Sequence, residues 1–307
     1  MSGEILALIV AVVWTFTALF SEVACKRMGA LTLNVWRMVI CVILLSITLW
    51  VGCGVPWPQY TNRETWGWLL ASGFMGFVFG DYCLVNSYLL VGSRFGQLFM
   101  TLASPFAAIA AWVLLDERMS AMALLGMVVT ITGISISILG KPVKGKSLLK
   151  LPTRGVVLAI GGALGQGVGL VLSKLGLQAY EENIPVGMDD VLALVPFAGT
   201  QIRAFMGLAG FGIAMLLTHQ TTTLPRLWQD KETLTSAFLA ILLGPFFGVA
   251  LSLQAANSTH VGVAQTLMSL TPVLILWPAH LMFKTKITAR EMVGAAIAVT
   301  GASLFWV

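Results

Sequence analysis

Residues 73–118 read GFMGFVFGDYCLVNSYLLVGSRFGQLFMTLASPFAAIAAWVLLDER, and residues 241–283 read ILLGPFFGVALSLQAANSTHVGVAQTLMSLTPVLILWPAHLMF. At an offset of about 168 the same markers recur in the same order: Gly76 with Gly244, Phe79-Gly80 with Phe247-Gly248, Gln97 with Gln265, and Met100 with Met268. Further on, Gly126 aligns with Gly294 and Gly133 with Gly301. The proline slips by one, Ser104-Pro105 standing against Thr271-Pro272, and upstream the offset shifts to set Arg37 against Arg203. Crossing a bilayer takes about 20 mostly apolar residues in a helix. These runs are continuous and lack the alternation of barrel strands, so they read as membrane helices.

The composition agrees. Of 307 residues, 58% are hydrophobic and 10% charged, and the mean hydropathy is +0.90. A soluble domain carries roughly 25% charged residues. That excludes a soluble globular chain, and disorder requires low hydrophobicity with high charge. The net charge of +5 is therefore no sign of nucleic-acid binding, because membrane loops carry excess Lys and Arg for topological reasons. Cys25, Cys41, Cys53 and Cys83 have no metal-ligand spacing and read as small buried hydrophobes. The first apolar run has no basic n-region or cleavage site and reads as a retained span.

Ten spans are predicted, near 4–23, 31–53, 66–90, 95–115, 121–139, 155–178, 191–217, 234–257, 261–283 and 289–307. The basic connector 141–154 divides the chain into a first five-helix repeat, 1–140, and a second, 155–307. An odd number of spans per half places the halves in opposite orientations. The expected fold is thus an all-α integral membrane protein of ten helices in two inverted five-helix repeats. Such repeats mark secondary transporters whose site lies between the halves near the midplane.

The run Gly80-Asp81, Gly92-Ser93-Arg94, Ser104-Pro105-Phe106-Ala107-Ala108 and Leu114-Leu115-Asp116-Glu117-Arg118, continuing through Gly126 to Gly133, resembles the drug/metabolite transporter superfamily in its ten-helix EamA-like form. The resemblance spans the chain in helix count and repeat and is specific over about 76–140. It implies transport of small metabolites, often export, without ATP hydrolysis. An acid matching Glu117 is usual after the ninth span. Here that stretch is Lys284-Thr285-Lys286, so a symmetric role for two acids is not expected.

Asp81 lies about fifteen residues into the third span. A charge there costs about 2.5–3.5 kcal/mol on insertion scales, so it should face a cavity or a partner, or be protonated. A proton site, a counter-charge for a substrate ammonium and a helix–helix hydrogen bond all fit. Polar stripes point inward on single helix faces: Trp14, Thr17 and Ser21 on span one, Gln97, Thr101 and Ser104 on span four, Gln166 and Ser173 on span six, and Gln265, Ser269 and Pro272 on span nine. Gln254 in span eight joins the candidate route. Tyr82, Tyr88 and Phe99 offer aromatic contacts. Spans one, three, four, six, eight and nine are expected to line the route, with Pro105 and Pro272 as candidate hinges because each removes a backbone hydrogen bond. Arg37 and Arg203 fit snorkelling to the interface or pairing with a carboxylate substrate, with Asp81 or with Glu22, and Lys174 reads the same way. Glu22 and Lys26 make an i,i+4 helix-end pair. Glu117 holds a loop or gate at a helix mouth.

His219, His260 and His280 are too dispersed for a catalytic or zinc constellation, and GxSxG and GxxxxGK[ST] are absent. No cofactor, metal or catalytic residue is expected. The reading is a secondary transporter of a small organic metabolite (an amino acid, a nucleobase or similar) in the cytoplasmic membrane. A membrane-embedded enzyme and a channel are the alternatives. Its partners are the solute, the lipid bilayer and, as candidate coupling ion, the proton. No nucleic acid is expected, and the state is a monomer or weak dimer. The resemblance implies cytoplasmic termini. Charge counting opposes that, since external termini put thirteen of eighteen Lys and Arg inside and only Arg63 and Arg118 outside.

Overall fold

The computed structural model describes residues 2–138, 151–274, 276, 278 and 288–306, except for the side chains at 93, 94 and 138. The connector's residues 141–150, the stretch 284–286, and the side chains of Ser93 and Arg94 therefore lie outside the described residues. Within them, all regular structure is helical. The helices are α1 Gly3–Met28, α2 Ala30–Cys53, α3 Arg63–Val91, α4 Phe95–Leu115, α5 Ala121–Ile138, α6 Thr153–Glu181, α7 Asp189–Leu217, α8 Lys231–Ser258, α9 Val261–Leu274 and α10 Ala289–Ser303. Seven of them (α1, α2, α3, α4, α6, α7 and α8) are long and apolar enough to cross a membrane, whereas α5 and the described parts of α9 and α10 are shorter. The α6–α7 loop is tighter than the sequence suggests, because α6 continues through Glu181 and α7 resumes at Asp189. The α7–α8 connection holds a 3-10 helix, Thr221–Trp228, that periodicity did not reveal.

Local chemistry accounts for the helix ends. Asn62 and Asp230 cap α3 and α8, accepting from the N–H groups of Thr65 (2.7 Å) and Thr233 (2.8 Å). The bond from the Thr233 N–H holds the Asp230 carboxyl below the usual carboxylate range. Thr288 and Glu291 form a capping box at α10. Gly29 turns the chain from α1 into α2 within one residue, and Gly92 ends α3 at the turn towards α4, at φ 90° and 84°, a conformation that a side chain would strain.

Two irregularities matter for the site. π-helical stretches interrupt α3 at Phe74–Asp81 and α8 at Leu242–Gly248. Turns at residues 101–102 and 269–270 break α4 and α9. Each pair is separated by 168 residues, the spacing of the sequence repeat. The breaks precede Pro105 and Pro272, which cannot supply the hydrogen bond one turn back. The Met268 carbonyl accepts instead from the Thr271 hydroxyl at 2.9 Å.

Glycine lets α6 close on the π-helical stretch of α3. A Cβ on Gly165 would stand 2.7 Å from Gly80 Cα and 2.5 Å from the Met75 carbonyl oxygen. Gly165→Val is expected to destabilise the bundle by about 1–3 kcal/mol, the usual range for overpacking. Gly212 faces open space on α7, so Gly212→Ala should stabilise by about 0.5–1 kcal/mol through helix propensity. Thermal unfolding of both variants in detergent checks the pair, and equal melting temperatures would refute this account of the α3–α6 contact.

Candidate functional site

A cavity partly open to the outside lies among seven helices. Trp14, Thr17 and Ser21 of α1 face it, as do Asp81 and Tyr88 of α3, Gln97 and Met100 of α4, and Gln166 of α6. Gln265, Ser269 and Pro272 of α9 and Gly244 and Val249 of α8 complete the wall. α2 contributes Arg37, so the set of lining helices is wider than the sequence suggested. The rest of the wall is apolar, including Phe77, Leu84, Val85 and Met268.

At its centre Arg37 Nη1 stands 3.1 Å from Asp81 Oδ2, the side chains 7% and 14% exposed. The same nitrogen donates to Asn34 Oδ1 at 3.0 Å, a neighbour three residues back on one helix face. Arg37 is thus no snorkelling residue. Neither is Arg203, which is 3% exposed with its guanidinium carbon 5.0 Å from the Phe77 ring centroid. Sequence reading passed over Asn34, although its spacing from Arg37 was the available signal. Tyr88 accepts a hydrogen bond from Gln97 Nε2. Ser104 and Ser269, one beside each helix break, bond to each other at 2.9 Å. They tie α4 to α9 next to the cavity.

Other sequence candidates lie elsewhere. Tyr82 is 44% exposed and faces away, because consecutive helix residues diverge by about 100° and Asp81 takes the inward direction. Thr101 is buried but turns its hydroxyl to the Leu98 carbonyl at 2.7 Å, and Pro105 follows the break without lining the cavity. Gln254 lines a separate hollow with Glu181, Asp189 and Pro196.

Glu117 is the hub of a second cluster. Its Oε1 is 2.6 Å from Lys174 Nζ, with side chains 14% and 8% exposed. Its Oε2 accepts from the Val261 N–H at 2.9 Å, and His260 Nδ1 lies 3.7 Å away. Lys174 also donates to the Thr259 carbonyl at 2.8 Å, while the Thr259 hydroxyl donates to Glu4 at 2.6 Å. This knot ties the α4–α5 loop, α6, the α8–α9 turn and the start of α1. Lys174 is therefore ion-paired rather than snorkelling. Beneath the knot Ala7, Val10 and Ala11 pack in one apolar cluster with Ala107, Ala111, Ala264 and Leu267. The knot and this plug close the end of the molecule that carries the N-terminus. At the opposite end Glu22 pairs with Lys26, and Arg27 with Asp230 and Glu232.

Comparison with known proteins fits this architecture. Twenty-eight solved chains match in structure. One of them, described as "Crystal structure of protein", superposes with a TM-score of 0.74 over 99% of this chain and 95% of that one, at 16% identity. That likeness shows the fold alone. No curated protein matches in sequence. The family model described as "EamA-like transporter family" matches residues 1–139 and 153–307. The chain belongs to the EamA-like transporter family and is a multi-pass membrane transporter of small molecules.

Proposed function

We propose that the protein is a secondary transporter that exports a small organic metabolite of amino-acid or nucleobase size across the cytoplasmic membrane by alternating access. Its ten spans act as two inverted five-helix repeats, 1–140 and 155–307, joined by 141–154. One observation carries this reading. The irregularities of the two halves, two π-helical stretches and two helix breaks each 168 residues apart, converge on a single cavity. Solute sites in inverted-repeat transporters are built from interrupted helices in this way. The family model's two matched stretches, 1–139 and 153–307, divide the chain at the same connector.

In this reading Trp14, Asp81, Gln97, Gln166, Gln265 and Ser269 contact the solute, and the breaks before Pro105 and Pro272 are the hinges. The Glu117 knot is the gate on the side of the termini. The positive-inside rule argues that this side is outside, since the alternation of ten spans assigns thirteen of eighteen Lys and Arg, Arg27 and Lys231 among them, to the other side. The plugged end then faces out and the cavity serves the cytoplasm, which suits an exporter loading its cargo.

The test is flux in proteoliposomes for labelled amino acids and nucleobases, wild type beside Asp81→Asn, with and without a pH gradient. Saturable flux that follows the gradient and fails in the variant is expected for proton coupling through Asp81. Saturable flux indifferent to both would reduce Asp81 to a packing role and make the protein a facilitator. Flux at channel rates, or chemical turnover without movement, would overturn the reading.

A further inference from the structure

Two arginines and one carboxylate share the buried centre of this protein, and the imbalance comes from the repeat itself. Arg37 of α2 and Arg203 of α7 are used alike. A Cβ on Gly244 would meet an Arg37 terminal nitrogen at 3.7 Å, and one on Gly76 would meet an Arg203 terminal nitrogen at 2.5 Å. Each guanidinium therefore rests on the π-helical stretch of the other half. Asp81 has no such twin. The position 168 residues on is Val249, which lines the same cavity. The repeat doubles the cation and leaves the anion single.

Hydrogen bonding at this centre is incomplete on both sides: Arg37 Nε and Arg203 Nε are buried without partners, and Asp81 Oδ2, though ion-paired with Arg37, accepts no hydrogen bond. Among the described residues Arg203 makes no hydrogen bond or ion pair, and its cation rests behind the Phe77 ring. Glu22 is engaged by Lys26 at the helix end. An uncompensated buried cation is costly until an anion joins it. Gln265, 2% exposed, also holds an unpartnered side-chain oxygen at the same cavity.

We propose that the solute is a small organic anion bearing a carboxylate. The carboxylate binds Arg37, with the Arg203 charge behind Phe77 adding attraction. An apolar body rests on Trp14 and Met268, and a hydrogen-bond donor reaches Gln265. This rests on the transport reading and narrows it, away from neutral nucleobases and from cations.

The experiment heats the purified wild-type chain in detergent with solutes of one skeleton and three headgroups: 3-phenylpropionate, 3-phenylpropionamide and 3-phenylpropylamine, each also with a 4-hydroxyl. A bound ligand raises the melting temperature. The carboxylates are expected to raise it and the amides and amines to leave it unchanged. Arg37→Gln should weaken the carboxylate effect about tenfold or more in concentration, the scale of a hydrogen bond to a charged group, and Arg37→Lys should restore part of it. Should Arg37→Gln fail to fold, Val249→Asp tests the same point by supplying the missing second acid, and it should abolish the carboxylate preference. Equal stabilisation by amides or amines, no carboxylate effect at all, or an effect untouched in these variants would each overturn the proposal. A carboxylate that binds but does not move in proteoliposomes would instead overturn the transport reading and leave the anion site standing.

Discussion

Asp81→Asn is expected to lower the unfolding free energy by about 3–5 kcal/mol, the scale for removing one member of a buried ion pair. Asparagine has nearly the same shape as aspartate and lacks its charge, so lost packing contributes little. The loss is electrostatic. Arg37 keeps Asn34 at 3.0 Å but loses the carboxylate at 3.1 Å, and Arg203 loses the attraction of the Asp81 charge. The double variant Asp81→Asn/Arg37→Gln should recover part of the loss, because removing both members of a pair leaves fewer stranded charges than removing one. Denaturant or thermal unfolding of the wild type, both single variants and the double variant closes the cycle. An Asp81→Asn protein as stable as the wild type would mean that the Arg37–Asp81 pair contributes nothing to stability.

Lys174→Met is expected to open the end of the molecule that carries the N-terminus. In the closed form Lys174 neutralises Glu117 at 2.6 Å, and both are nearly buried. Without the ammonium the carboxylate keeps the Val261 N–H but is stranded, which costs about 3–5 kcal/mol. An open form that wets Glu117 escapes this cost. Two conformations of a transporter differ by a few kcal/mol, and about 5.5 kcal/mol takes an equilibrium from 1:99 to 99:1. The population should therefore move strongly towards the open form. Ala11 is fully buried beneath the knot. An Ala11→Cys reporter should react slowly with an impermeant maleimide applied from the side of the termini, and at least tenfold faster once Lys174→Met is added. Unchanged labelling would assign the knot to stability alone.

The contrast between these two clusters indicates what primary structure carries. The stripes Trp14–Thr17–Ser21 and Gln265–Ser269–Pro272 reach the cavity wall as periodicity predicts, since residues three or four apart share a face and lipid gives polar side chains no partner. Thr101 departs from its stripe because the helix breaks at that residue, and face-counting assumes an unbroken helix. Tyr82 departs because its neighbour Asp81 occupies the inward face. Arg37, Arg203 and Lys174 were ambiguous for a common reason: a long basic side chain can snorkel or pair, and only the position of a partner decides. Glu117 and Lys174 are remote in sequence, and nothing local links them.

By itself the amino-acid sequence determined the membrane class, the helical character, the repeat and most of the cavity-facing polar residues. Each depends on composition, on helical period or on self-similarity, which are properties of the chain read along its length. Only the tertiary structure decided that α2 joins the cavity, that Asp81 pairs with Arg37 rather than with a lipid-facing or solvent-facing group, and that one end is latched by Glu117 and Lys174. Those facts depend on which helix faces which. The bundle settles that through glycine contacts such as Gly165 on Gly80 and through the need to pair each buried charge.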